Sequence, residues 1–160
     1  VIASDTFEDD SLIQIPLYFE PFVLAAPKGH SILKVDKLTR NNLNAQEMTL
    51  LEEGHCLSLQ TLELCSRNRR GNIQEFHATS IETLRQLVAA GLGYSLLPVL
   101  AREEDKRLKD VLEYREFDDE RVGRKVILVC RKRAPNMDEL LLFADFIRAH
   151  AAPQVTVLHK

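Results

Sequence analysis

Apolar and polar positions change period several times along this chain. Leu12–Ile15 is a short apolar run stopped by Pro16, and Pro21–Pro27 is an apolar stretch bracketed by prolines. Each predicts a strand, the second one buried. Lys28-Gly29-His30 reads as a turn, and Val35–Leu38 as a short helical segment that opens a surface connection. Met48–Leu51 predicts another strand. Leu57, Leu59, Leu62 and Leu64 then suggest a helix, in spite of the two-residue steps among them. Ser66–Asn72 is polar and basic, with Gly71 as a breaker.

The second half alternates in the same way. Glu75–Ala78 predicts a strand, and a helix follows over 80–91. Thr79-Ser80-Ile81-Glu82 reads as a capping box, a hydroxyl accepting from an orphan amide while Glu82 reaches back. Leu84, Leu87 and Val88 form the apolar stripe, and Gly91 supplies a left-handed stop. Tyr94–Leu97 is a strand closed by Pro98, and Val99–Glu104 starts a further helix. Val111–Phe117 and Lys125–Cys130 are strands, the latter buried. Asn136-Met137-Asp138-Glu139 caps a final helix whose apolar face is Leu140, Leu141, Phe143, Ala144 and Ile147. Strands alternating with helices imply an α/β fold with crossover connections.

Composition narrows the classes. The 160 residues suit one domain or two small lobes, and 45% apolar with 28% charged residues suits a water-soluble globular chain. A net charge of −3 leaves no overall electrostatic footprint for nucleic acid. The short basic runs at Arg67, Arg69 and Arg70 and at Arg131–Arg133 read as solvated loop or strand ends. No apolar run reaches the roughly 20 residues of a membrane helix, so no membrane partner is expected. No signal peptide opens the chain, and its start on Val1 rather than Met suggests a piece of a longer protein. Three cysteines, at 56, 65 and 130, make no disulfide framework. A reducing cytoplasm is expected, where a pair that oxidises is usually a switch rather than a staple.

The sharpest chemical feature is Gly54-His55-Cys56 followed nine residues later by Cys65. On a helix, that spacing places Cys65 roughly 13–14 Å along the axis and about half a turn around. A disulfide needs Cα atoms about 4.4–6.8 Å apart, so a helical segment cannot carry the bond. One segment with two packings, selected by a covalent bond, is what a redox switch requires. Cys56 falls where the helix begins, beside His55, a setting that favours a reactive thiolate; oxidation by peroxide gives a sulfenic acid that Cys65 can resolve. Cys130, inside an apolar strand, is most simply a buried core thiol. The bland alternative is that Cys56 and Cys65 are ordinary small core residues. His55, Cys56, Cys65 and His77 match no zinc spacing, and the absence of C-x-x-C argues against a thioredoxin-like enzyme. No metal or cofactor is expected.

Leu51-Glu52-Glu53-Gly54-His55-Cys56-Leu57, together with Cys65, resembles the redox segment of the hydrogen-peroxide sensors in the family of LysR-type transcription regulators. Ala78–Arg85, Val88–Gly93, Leu96-Leu97-Pro98, Pro16-Leu17, Glu20-Pro21 and Gly29-His30 are similar to the effector-domain pattern of that family. The likeness runs from about Val1 to Ile147. It implies a periplasmic-binding-protein-like α/β effector domain of two lobes: residues 17–125 as regulatory subdomain II, residues 1–16 and 126–160 as part of subdomain I, the first half of that lobe missing. It also implies that the DNA-reading winged helix-turn-helix lies outside this chain.

Carried over residue by residue, the resemblance makes Cys56 the peroxide-reactive thiol and Cys65 the resolving one, with His55 and Arg124 in support. Thr79 and Ser80, most simply caps, stand where ligand-binding members face an effector cleft. Ser58 and Leu59 depart from an Arg-Asp pair in well-known relatives, which removes one possible thiolate stabiliser. The implied partners are hydrogen peroxide, further copies of the chain (a dimer, or a tetramer when full-length), DNA through the missing domain, and RNA polymerase. The implied role is a stoichiometric sensor, not an enzyme. Two alternatives stay open: an effector domain for a small metabolite with incidental cysteines, and a thiol peroxidase.

Overall fold

Residues Leu12–Pro27 form one continuous strand rather than two short ones, and four other strands of the sheet pair along it. The computed structural model describes residues 1–4, 9–52, 56–65, 77–102, 108–119 and 121–159. In chain order the strands and α-helices are β1 (Ile2–Ala3), β2 (Leu12–Pro27), β3 (Leu50–Leu51), α1 (Cys56–Leu64), β4 (His77–Ala78), α2 (Ile81–Ala89), β5 (Ser95–Pro98), β6 (Leu112–Glu116), β7 (Gly123–Arg131), α3 (Met137–Ala149) and β8 (Thr156–Val157). They fall into two units, Val1–Pro21 with Gly123–Lys160, and Phe22–Val122.

In the first unit β7 pairs antiparallel with β1 and with the Leu12–Pro21 part of β2, and β8 pairs β2 at Tyr18 and Phe19. Pro16, expected to stop the strand, is absorbed by a register shift between Pro16 and Tyr18. A bulge is where a residue without an N–H can sit inside a strand. The Pro16 carbonyl is also used, accepting from Arg148 Nε at 3.1 Å. Ile15, Leu17, Val126, Leu128 and Ala144 make the core, against which Leu140, Leu141 and Ile147 of α3 pack. Phe143, expected on the apolar face, is 46% exposed. Asn136 stands at the N-cap of α3 without a side-chain cap bond; Asp138 and Glu139 provide acidic charge in the first turn instead. Cys130 is only partly buried, not a full core thiol.

In the second unit the Phe22–Pro27 part of β2 runs between β5 and β6, antiparallel to both. Phe22–Ala26 are all buried. The crossover pattern lies beside it. β3 and β4 are parallel, Met48 bridges Tyr94 in parallel, and α1 and α2 are the connections.

Two connections differ from expectation. Val35–Leu38 is not helical; single 3-10 turns occupy Ser31–Lys34, Arg40–Asn42 and Ala45–Glu47. The segment is not superficial either, since Leu38 and Leu43 are fully buried and the chain dips inward at each between turns. The expected helix at Val99 is one 3-10 turn, Val99–Ala101, within the described residues. Helix α2 was well marked by its sequence, but its start is built differently. The N-cap is Ser80, whose Oγ accepts from Thr83 N at 3.1 Å. Glu82 does not reach back, because its two carboxylate oxygens take Arg85 at 2.8 Å and Gln86 at 3.2 Å. At the other end Gly91 has φ 91°, with Gly91 N donating to Val88 O and Leu92 N to Leu87 O. That is the paired closure of a helix ending on a left-handed residue.

Candidate functional site

Helix α1 holds the two cysteines at its ends. Cys56 is its first residue and is exposed; Cys65 follows its last residue and has no exposed surface. Neither is in a disulfide, nor is Cys130. The intervening helix sets the thiols' positions roughly 13–14 Å apart along its axis, about twice the separation a disulfide tolerates. Cys56 therefore meets solvent at the end of a helix where amides lack intrahelical acceptors and the dipole is positive. His55 lies outside the described residues, as do Arg67, Arg69 and Arg70.

The buried stripe of α1 is not the leucine set. Leu57, Ser58 and Thr61 are buried, Leu62 and Leu64 pack partly on the core, and Leu59 is 60% exposed. Two hydroxyl residues thus face inward on the side that leads to Cys65. There the Cys65 thiol reaches the Met48 thioether at 3.2 Å and the Thr61 carbonyl, one turn back, at 3.6 Å. Met48 is itself fully buried. Nearby, buried Tyr94 ties down the segment before β3. Its hydroxyl accepts from Asn44 N at 2.6 Å and can donate to Asn44 O at 3.2 Å. Burial pushes the Tyr94 phenol up to about 12, and His30 meets its ring edge-on. Met48, Thr61 and Tyr94 were not singled out by sequence; the Met48-to-Cys65 contact spans 17 residues and arises only once the crossover is formed.

The other expected site residues sit as follows. Thr79 and Ser80 are exposed at the start of α2, and Ser80 is used as a cap. Arg124 lies on β7 in the first unit, where Glu20 faces it in the β2 register. Its guanidinium pairs with the Glu20 carboxylate at 2.8 Å, and Glu20 is 2% exposed. A buried carboxylate needs such a partner, so the charge of Arg124 is matched locally.

Three comparisons place this geometry. Residues 1–152 match the LysR substrate binding domain. The chain is 34% identical over 143 residues to a hydrogen peroxide-inducible genes activator of Dickeya chrysanthemi, covering 89% of this chain and 47% of that protein. Among solved structures, the reduced form of the OxyR regulatory domain from Pseudomonas aeruginosa is similar at TM-score 0.75 and 32% identity, over 92% of this chain and 71% of that one. A reduced form of OxyR from N. meningitidis is similar at TM-score 0.84 and 28% identity, over 99% and 74%. The chain spans about half the length of the curated relatives it matches.

Proposed function

The chain belongs to the family of LysR substrate-binding domains, and we propose that within it this is a peroxide-sensing regulatory domain whose switch is Cys56 and Cys65. The observation that carries the reading is a single nine-residue helix with an exposed thiol at its start and a buried thiol just past its end. The similarity to OxyR regulatory domains supports peroxide as the oxidant.

The chemistry balances without a cofactor. The Cys56 thiolate attacks one oxygen of hydrogen peroxide; an S–O bond forms, the O–O bond breaks, and hydroxide leaves to take up a proton as water. Cys56 is then a sulfenic acid. The Cys65 thiolate attacks that sulfur; an S–S bond forms, the S–O bond breaks, and a second hydroxide leaves as water. Two thiols have lost two electrons to one peroxide. The second step requires α1 to open and Cys65 to leave the core, so bond and conformational change are one event. The event is stoichiometric, as suits a regulator rather than a catalyst.

His55, adjacent in sequence, and Arg124, oriented by Glu20, are proposed as supporting residues. The full-length regulator is proposed to act in the cytoplasm as a homo-oligomer, with DNA and RNA polymerase contacts made outside these residues. No described helix is long and apolar enough to cross a membrane. The test is thiol mapping by mass spectrometry after one equivalent of peroxide, with Cys56→Ser and Cys65→Ser controls. The expected product is a Cys56–Cys65 disulfide in the parent protein and a trapped sulfenic acid at Cys56 in Cys65→Ser. A Cys56 that stays a thiol contradicts the reading.

A further inference from the structure

Cys65 must leave its pocket for the switch to turn over, so whatever holds it there sets how readily the switch moves. Three observations identify the holder. Cys65 and Met48 have no exposed surface. The Cys65 Sγ lies 3.2 Å from the Met48 Sδ, nearer than the Thr61 carbonyl at 3.6 Å. Met48 is also anchored independently of α1, through its parallel bridge to Tyr94 and the bond from its amide to Ala45 O.

We propose that Met48 is a positioning residue that sets the poise of the Cys56–Cys65 couple, which rests on the sensor reading above. A thioether accepts and cannot donate, and the same is true of the Thr61 carbonyl. Both contacts therefore suit Cys65 with its proton in place, inside the core. The disulfide forfeits the sulfur–sulfur contact, because a bond to Cys56 takes Cys65 away while Met48 stays at its bridge to Tyr94. The contact thus stabilises the dithiol state alone, and removing it shifts the balance toward the disulfide. It acts on the second step. The first, between solvent-exposed Cys56 and peroxide, does not involve it.

The experiment compares the parent chain with Met48→Leu, a change of nearly conserved volume, and with Met48→Ile as a second apolar replacement. The Cys56–Cys65 equilibrium is measured in glutathione buffers, and the two oxidation steps are timed separately. The expected result is an equilibrium shifted about three- to tenfold toward the disulfide, the range of a weak hydrogen bond, or about 14–30 mV more reducing for a two-electron couple. Resolution by Cys65 should quicken while sulfenic acid formation at Cys56 keeps its rate. An unchanged equilibrium in both variants, or one shifted toward the dithiol, overturns the inference even if the variants melt earlier, since packing lost equally from both redox states lowers stability without moving the potential. A parent chain that forms no Cys56–Cys65 bond removes the sensor reading, and this inference with it.

Discussion

Tyr94 and Cys65 share a buried neighbourhood, and each has its polar atom held by specific partners. The phenol of Tyr94 accepts from Asn44 N and donates to Asn44 O, and burial, the main cause, raises its pKa to about 12. The consequence for stability follows from proton counting. Below about pH 10 the phenol is neutral in both folded and unfolded chains and contributes no pH dependence. Between about 10 and about 12 the unfolded chain holds fewer protons than the folded one, so stability falls as pH rises through that window. Tyr18 is shifted the same way by burial, and to a lesser extent by Glu20, so Tyr94→Phe should remove most of this alkaline loss and not all of it. Urea unfolding at several pH values, beside ultraviolet titration of the phenols, measures both. A parent protein with one normal titration near pH 10 for every tyrosine contradicts this assignment. Cys56 and Cys65 differ in the complementary sense: one thiol is open to a small oxidant and the other is withheld from it.

Helix α1 is the element on which both states of the proposed switch depend. Leu57 is 5% exposed and Leu59 is 60% exposed. Leu57→Ala should cost the dithiol form roughly 2–4 kcal/mol, whereas Leu59→Ala should stay within about 0.5 kcal/mol. Chemical denaturation of the reduced proteins distinguishes them, and equal losses would show that α1 packs by another face. The leucine spacing made this helix ambiguous because Ser58 and Thr61 occupy buried positions where a periodic reading expects apolar residues. Helix α2 was legible because its stripe ends on Gly91, whose positive φ leaves a mark in sequence. Its cap stayed ambiguous between Thr79 and Ser80, which offer equivalent hydroxyls; only the bond from Thr83 N selects Ser80. Pro16 was read as a stop because a bulge depends on the partner strand β7, more than 100 residues away in sequence. The spacing of Cys56 and Cys65 drew attention to the pair but left them readable as ordinary core residues; their proposed roles came from the family resemblance. Met48, which touches Cys65, could not be found from sequence, because only the folded crossover brings Leu50–Leu51 beside α1.

Across the whole molecule, the two cysteines of the proposed switch lie within Phe22–Val122, while Cys130 and helix α3 belong to the other unit. Oxidation is therefore expected to rewrite one unit and spare the internal order of the other. Its core of Ile15, Leu17, Val126, Leu128 and Ala144 contains no residue of α1. Under the proposed function, a remodelled α1 region is a bistable device rather than a graded one. The most direct test follows backbone amide exchange and thiol state together during titration with one equivalent of peroxide. Protection over Gln60–Leu64 should be lost in proportion to the Cys56–Cys65 bond formed, with Val126–Val129 and α3 unchanged. A Cys56–Cys65 bond that forms while those helix amides keep their full protection would contradict the claim that the chemistry and the unfolding of α1 are a single event.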